Sequence, residues 1–353
     1  MTGFPEVAVV GFGQSPQVRE TTGTTNGVEM LVPVFQRLLA DTGLSRREVG
    51  FWCSGSSDYL AGRAFSFVTA VDAIGALPPI AESHVEGDAA WALYEAWLKI
   101  RMGEADTALV YGFGKSSAGD LRRVLALQLD PYLVAPLWPD SVSIAALQAR
   151  VGIEAGLWSE KEMAEVAARS RADGATNPHA QLREPLDPAG LLDTPYLADP
   201  LRAHDCAPIT DGAAAIVLAA GHRAAELCER PAWITGLEHR VDSPVLGARD
   251  LGRAPSAGAA AAAAGTDGVQ VAELATPFTS QELLLRRELG LADGVAVNPS
   301  GGPLCGNPMF AGGLVRIGEA AARVMSGQAG KVLAHASNGP LLQQNLICVM
   351  EGR

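Results

Sequence analysis

Basic side chains are scarce in this 353-residue sequence. Lysine and arginine number 27 against 39 aspartates and glutamates, which gives a net charge of −12. A protein with this excess of negative charge does not attract phosphate-rich surfaces. The composition therefore disfavours nucleic acid or an anionic membrane as the main partner.

Cysteines are also few, and they form no recognisable framework. The five residues (Cys53, Cys206, Cys228, Cys305 and Cys348) include no CxxC pair. Such spacing predicts reduced thiols in a cytoplasmic protein and no metal site. The sequence also lacks a basic, apolar N-terminal segment and any long apolar run, so we expect no signal peptide and no membrane insertion. With 48% apolar and 19% charged residues, the chain is expected to be globular and soluble.

Two segments share the same order of predicted elements. A helix over about residues 87–102 leads to a strand over 107–112, and a helix over 307–325 leads to a strand over 330–335. Each strand is followed by a polar loop. The pattern indicates an internal duplication of one α/β unit, with mainly parallel strands covered by helices.

The predicted halves are separated by an insertion. We assign residues 1–114 and 201–228 to the N-terminal half, 115–200 to the insertion and 229–353 to the C-terminal half. Within the insertion, Ser159 and Glu162 form a capping-box pattern ahead of a helix.

Residues 298–317 are the most informative stretch. They begin Asn-Pro-Ser-Gly-Gly and predict a glycine-rich loop leading into a helix that starts near Pro308. Glycines allow the backbone to approach another group closely, and the free amides of a helix start can hold an anion.

This stretch resembles the C-terminal active-site loop of the thiolase superfamily, in which Asn-Pro-x-Gly-Gly leads to Gly-His-Pro. Here the histidine is replaced, giving Gly306-Asn307-Pro308. The segment 206–215 resembles the part of thiolases that returns from an inserted loop domain. The resemblance implies an α/β fold of five layers, αβαβα, made of two duplicated halves and an inserted loop domain. It also implies that the alanine-rich run 254–265 is a helix packed closely on a sheet.

Thiolases use two cysteines and a histidine, and the resemblance implies that this chain has none of them in place. Glu86 matches the nucleophilic cysteine at a helix start, Asn307 matches the histidine and Ser337 matches the second cysteine. No cysteine lies between Cys53 and Cys206. Thiolytic chemistry at the usual position is therefore excluded.

Four residues are the candidate catalytic groups. Glu86 is either an acid–base group or a charged helix cap, and His84 is either an acid–base group or a structural residue. Asn307 is either a donor to a thioester oxygen or a brace for its loop. His335 ends a buried strand and is a candidate acid–base group or donor.

The candidate substrate-binding residues come from the same loops. Cys305 is either a displaced nucleophile or a small buried residue, and Phe278 keeps the phenylalanine of the family's Asn-Glu-x-Phe loop. The full set is Ser337, Asn338, Gly339, Gly301, Gly302, Cys305 and Phe278.

The chain resembles a branch of lipid-transfer or sterol-carrier-like thiolases that lack catalytic cysteines. Some members work with a DUF35 partner, which pairs an OB-fold with a zinc ribbon, and several are retro-aldolases acting on steroid β-hydroxyacyl-CoA. Those aldolases use tyrosines, whereas residues 335–344 contain none. The resemblance implies a homodimer and coenzyme A as part of the substrate, with no covalently bound cofactor.

Three functions follow from this resemblance. The first is carbon–carbon cleavage of a CoA thioester, with Glu86 or His84 as base and Asn307 and His335 as donors. The second is a non-catalytic acyl-CoA- or lipid-binding or scaffolding subunit of a DUF35-containing complex. The third is acetyl-CoA acetyltransferase-type acyl transfer through Cys305.

Overall fold

The computed structural model describes residues 3–22, 27–58 and 65–353. Met1 and Thr2, on which the reading of the N-terminus partly rests, lie outside the described residues. No described helix combines the length and the hydropathy needed to cross a membrane.

The described strands and helices alternate through both halves of the chain. The strands are β1 (Val7–Gln14), β2 (Phe51–Ser56), β3 (Glu82–Glu86), β4 (Thr107–Gly114), β5 (Tyr196–Ala198), β6 (Leu201–Arg202), β7 (Ile209–Thr210), β8 (Gly212–Ala220), β9 (Ala232–Val241), β10 (Val271–Leu274), β11 (Ala296–Val297), β12 (Asn307–Pro308), β13 (Lys331–Asn338) and β14 (Gln344–Glu351). The helices are α1 (Val28–Thr42), α2 (Ser66–Ile74), α3 (Ala89–Arg101), α4 (Leu121–Leu127), α5 (Ser141–Glu154), α6 (Glu160–Gly174), α7 (Pro188–Leu191), α8 (Gly221–Leu227), α9 (Pro255–Ala264), α10 (Thr279–Glu288) and α11 (Gly312–Met325).

The sheet confirms the predicted duplication. Ten strands follow the order β11-β10-β13-β14-β9-β1-β8-β4-β2-β3. In the N-terminal half the order is β1-β8-β4-β2-β3, and the C-terminal half repeats it as β9-β14-β13-β10-β11. In both halves the two outer pairings are parallel and the two inner ones antiparallel. The strands near both edges of the sheet are thus parallel, as expected from the sequence. The strands at the centre of the sheet are antiparallel.

Helices cover the strands in three layers, which agrees with the predicted five-layer fold. The central layer holds α3 and α11, whose apolar faces pack against strands of both halves. Helix α1 covers the other face of the N-terminal strands. Helices α9 and α10 cover the other face of the C-terminal strands.

The alanine-rich run 254–265 forms α9 and packs closely on β9, as expected from the resemblance. Gly236 of β9 makes this approach possible, because a Cβ there would overlap the backbone of Ala264. We expect Gly236→Ala to destabilise the protein by about 1–3 kcal/mol, since the helix must move away from the strand. Urea unfolding checks this, with Gly247→Ala as control because a Cβ at Gly247 meets no atom within 4 Å. Equal unfolding midpoints for the two variants would contradict the tight packing.

The sequence placed the start of one central helix too early. Asn307 and Pro308 form the short strand β12, which pairs with β7, and α11 begins at Gly312. The capping box of Ser159 and Glu162 is confirmed at the start of α6. The insertion also contributes α4 and α5, and we retain its sequence-derived boundaries as predictions.

Candidate functional site

A cavity of about 770 Å³ lies where the two halves and the insertion meet. One wall comes from the turn between β3 and α3, and another from the loop that precedes α11. The insertion adds an apolar wall from α4 and the start of α5, made of Val124, Leu125, Leu127, Leu129, Val142 and Ile144. The cavity is therefore open to a ligand that has both polar and apolar parts.

Glu86 lines this cavity, but it is not a helix cap. It is the last residue of β3, and its side chain is 57% exposed. Gly87 follows with φ of 141°, a conformation that side chains rarely adopt, and turns the chain towards α3. The carboxylate of Glu86 therefore reaches the cavity from the end of a strand.

His84 lies behind Glu86 and outside the cavity lining. Its Nδ1 is 2.9 Å from the hydroxyl of Ser54, and its Nε2 is 3.8 Å from Oε2 of Glu86. The ring stacks on Phe67, and burial lowers the pKa of His84. This position suits a residue that orients Glu86 better than one that contacts a ligand.

Asp88 caps α3 and was missed by the sequence reading. Its carboxylate accepts hydrogen bonds from the backbone N–H of Ala90 at 2.9 Å and of Gly313 at 2.8 Å. Gly313 belongs to the first turn of α11, so one buried carboxylate joins the starts of both central helices. Gly313 permits this approach, because a Cβ there would overlap Oδ1 of Asp88. Asp88 therefore sets how the two duplicated units face each other at the cavity.

Burial raises the pKa of the Asp88 carboxyl from its ordinary 3.8 to about 6, against the lowering effect of its backbone donors. The folded state then binds this proton more tightly than the unfolded state, so stability falls as pH rises from about 4 to 6. We expect Asp88→Asn to abolish this pH-dependent part of the free energy of unfolding, which amounts to at most about 3 kcal/mol. Urea midpoints of both proteins between pH 4.5 and 7 test this, and parallel pH profiles would contradict it.

Asn307 lines the same cavity as Glu86, from the opposite half of the chain. Its backbone is held by the pairing of β12 with β7. Within the described part of the chain, no hydrogen bond occupies its side-chain amide. The amide is therefore available to a ligand, and the loop is braced by its backbone.

The glycine-rich loop is anchored differently from what the sequence suggested. Gly301 lies against the backbone of Gly174 in α6, and Gly302 lies against Asn298. Neither lines the cavity, whereas Gly306 does. Gly301 therefore allows close packing on the insertion, Gly302 allows close packing on Asn298, and both lie outside the cavity lining.

Cys305 is buried against the insertion, outside the cavity lining. Its thiol donates to the carbonyl of Ser170 at 3.2 Å, and burial raises its pKa. Since a thiolate is the reactive form, this environment does not favour a nucleophile. The position fits the alternative of a small buried residue.

His335 is completely buried and does not line the cavity. Its Nε2 is 2.8 Å from Oδ1 of Asn345, and burial lowers its pKa to about 4. His335 lies two residues before Ser337 on β13, and the fold encloses its side chain completely, so that it does not reach the cavity as Ser337 does.

The remaining candidate binding residues do line the cavity. Ser337 donates to the carbonyl of Ala275 at 3.4 Å, and Oδ1 of Asn338 accepts from the N–H of Asp88 at 3.3 Å. Gly339 and Phe278 complete this part of the wall. The structure thus brings Glu86, Asn307, Ser337, Asn338, Gly339 and Phe278 together, and leaves His84, His335, Cys305, Gly301 and Gly302 outside.

A buried ion pair supports the wall beneath these residues. Nη1 of Arg316 donates to Oε2 of Glu273 and to the hydroxyl of Ser300, both at 2.7 Å. Both charged side chains are almost fully enclosed. Glu273 also accepts from the N–H of Ser300 at 3.1 Å. This network fixes the glycine-rich loop to strand β10 and helix α11.

Two sequence signals could have identified the residues that were missed. An aspartate just before an apolar helical pattern is typical of an N-cap, as at Asp88. A charged residue inside the apolar run of Leu314, Val315 and Ile317 indicates a buried partner, as at Arg316. Among the described residues, no group of three or more histidine, cysteine, aspartate or glutamate side chains could hold a metal ion.

Curated proteins similar to this chain include acetyl-CoA acetyltransferases and a lyase. The chain is 26% identical to an acetyl-CoA acetyltransferase of Methanothermobacter thermautotrophicus over 292 residues, covering 72% of this chain and 74% of the relative. It is 27% identical to the 17-hydroxy-3-oxo-4-pregnene-20-carboxyl-CoA lyase of Mycobacterium tuberculosis over 245 residues, covering 65% and 61%. No protein family model matches the chain.

Solved structures of the same fold include an Ltp2-ChsH2(DUF35) aldolase, with a TM-score of 0.80 and 20% identity over 98% of both chains. Human mitochondrial 3-ketoacyl-CoA thiolase also superposes with a TM-score of 0.80, at 15% identity over 99% of both chains. The chain therefore has the thiolase fold, and its relatives support a place in the thiolase superfamily.

Proposed function

We propose that this chain acts on an acyl-CoA thioester and cleaves a carbon–carbon bond by a retro-aldol reaction, without a cysteine nucleophile. One observation carries the proposal: Glu86 and Asn307, from opposite halves of the chain, line the same cavity. A carboxylate and an amide donor are the two groups that this reaction requires. The lyase relative supports the same type of bond cleavage.

In this reaction Glu86 takes the proton from the β-hydroxyl of the acyl group. The hydroxyl oxygen becomes the carbonyl of a released aldehyde or ketone, and the bond between the α and β carbons breaks. Its electron pair moves to the α carbon and gives a thioester enolate, whose oxygen accepts a hydrogen bond from the amide of Asn307. A proton added at the α carbon completes a shortened acyl-CoA.

Of the two bases suggested by the sequence, the geometry favours Glu86. His84 lies outside the lining and close behind Glu86, so we assign it the role of orienting that carboxylate. His335 is too deeply buried to donate to the substrate. Acyl transfer through Cys305 is not favoured, since its thiol is buried and bonded to the insertion.

The partners belong to the same proposal. The aldolase of similar fold is named for a DUF35 component, which supports a DUF35 protein as partner of this chain. A homodimer remains the expectation from the resemblance. A steroid as the acyl group is supported by the name of the lyase relative alone.

The test is to incubate the purified chain, alone and with a DUF35 protein, with β-hydroxyacyl-CoA thioesters of increasing size. We expect equal amounts of a shortened acyl-CoA and a hydrazine-trapped aldehyde or ketone. Binding of the thioesters without either product would instead support the non-catalytic binding subunit.

A further inference from the structure

Arg316 is the one basic residue among those that line the cavity in the described part of the chain. It lies one turn into α11, and its side chain is only 3% exposed. An arginine on the buried face of a helix must be held by partners, because an unpaired buried charge is unfavourable. Its hydrogen bonds therefore show which N–H groups of the guanidinium bind other residues of the protein and which do not.

One end of the guanidinium is fully used by the fold. Nη1 carries two hydrogens, and these go to Glu273 and to Ser300, each at 2.7 Å. Oε1 of Glu273 also lies 3.8 Å from Arg323. The Arg316 side chain is thus fixed in one orientation by a buried carboxylate and a hydroxyl.

The other edge of the guanidinium has no partner within the ranges that the structure describes. Nε is buried and makes no hydrogen bond, and among the described residues none joins Nη2. Guanidinium has five N–H donors, and Nε and Nη2 form a planar pair on the same edge. Buried donors without acceptors are rare in proteins and indicate a missing partner. Since Arg316 lines the cavity, that partner can come from a ligand.

We infer that the Nε and Nη2 edge of Arg316 binds a carboxylate at the far end of the acyl group, so that the cavity selects monothioesters of dicarboxylic acids. This inference rests on the proposed function. A carboxylate matches two parallel N–H donors in both geometry and charge, which a single hydroxyl or carbonyl oxygen does not. Because Glu273 and Ser300 already hold the guanidinium in place, little side-chain freedom is lost when the ligand binds.

The experiment compares glutaryl-, adipyl- and pimelyl-CoA with matched branched acyl-CoAs in which an isopropyl group replaces the terminal carboxylate. Affinities are measured by isothermal titration calorimetry. We expect the wild-type protein to bind one of the dicarboxylic thioesters at least about tenfold more tightly than its branched counterpart, as for a paired charge-assisted contact. Arg316→Gln should remove this preference while binding of the branched thioester persists.

Two further variants separate recognition from folding. Arg323→Gln changes the other arginine near Glu273, which does not line the cavity, and should keep the preference. Glu273→Gln combined with Arg316→Gln avoids a lone buried carboxylate and should fold, bind the branched thioester and show no preference.

Equal affinity of the wild-type protein for both members of every pair would overturn the inference and leave the proposed function standing. A preference that survives in Arg316→Gln would also overturn it. If no CoA thioester binds at all, the proposed function fails and this inference fails with it.

Discussion

Glu86→Gln is expected to lower the rate of carbon–carbon cleavage by about 10²–10⁴-fold, the usual contribution of a general base. Glutamine keeps the size and polarity of the side chain but cannot take the β-hydroxyl proton. Because the side chain is 57% exposed and its contact with His84 is long, at 3.8 Å, the protein should remain stable. Single-turnover assays of product release measure the effect, with thioester affinity determined separately.

Glu82→Gln is the matched control for this substitution. Glu82 lies on the same face of β3, four residues earlier, and does not line the cavity. Its substitution should leave the rate unchanged. If Glu86→Gln cleaves the thioester as fast as the wild-type protein, Glu86 is not the base.

Glu273→Ala is expected to destabilise the fold by about 3–5 kcal/mol, the usual cost of leaving a buried charge without its partner. The substitution leaves Arg316 enclosed, with Ser300 as its one remaining acceptor among the described residues. It also removes the carboxylate that holds the glycine-rich loop on β10. The midpoint of urea unfolding should fall accordingly.

A second substitution tests the cause of this loss. Glu273→Ala with Arg316→Met removes both charges, and we expect it to recover much of the stability, because an apolar replacement of a buried pair is often neutral. As a surface control, Glu6→Ala breaks a contact with the exposed Arg353 and should cost about 0–1 kcal/mol. If the double variant is no more stable than Glu273→Ala, the loss of stability comes from the changed shape of the side chain and not from the unpaired charge.

Much of the fold was predictable because it depends on local and repeated patterns. The two helix-to-strand units centred on α3 and α11 were identified from their apolar periodicity, and the capping box of α6 from four residues. The start of α11 was not predicted correctly. Proline at position 308 suits a first helical turn, but pairing of β12 with β7 holds these residues extended.

Only part of the candidate site could be predicted, because tertiary packing decides which side chains stay accessible from the cavity. Glu86 and Asn307 were identified from the resemblance to thiolases, and both line the cavity. His335 was also placed next to the site by its position in the chain, yet its side chain is fully buried beneath it. His335 and Ser337 lie two residues apart on the same face of β13, yet only Ser337 lines the cavity, because the packing of distant segments encloses His335.

The sequence by itself determined the duplicated α/β architecture and the absence of a cysteine between Cys53 and Cys206, because both depend on residue order alone. The tertiary structure decided which polar groups face the cavity. It joined Asp88 to Gly313, 225 residues away in sequence. Among the described residues, it left one edge of Arg316 without a partner while the other is bonded. Such contacts arise when distant segments pack together, and no local pattern encodes the distances between them.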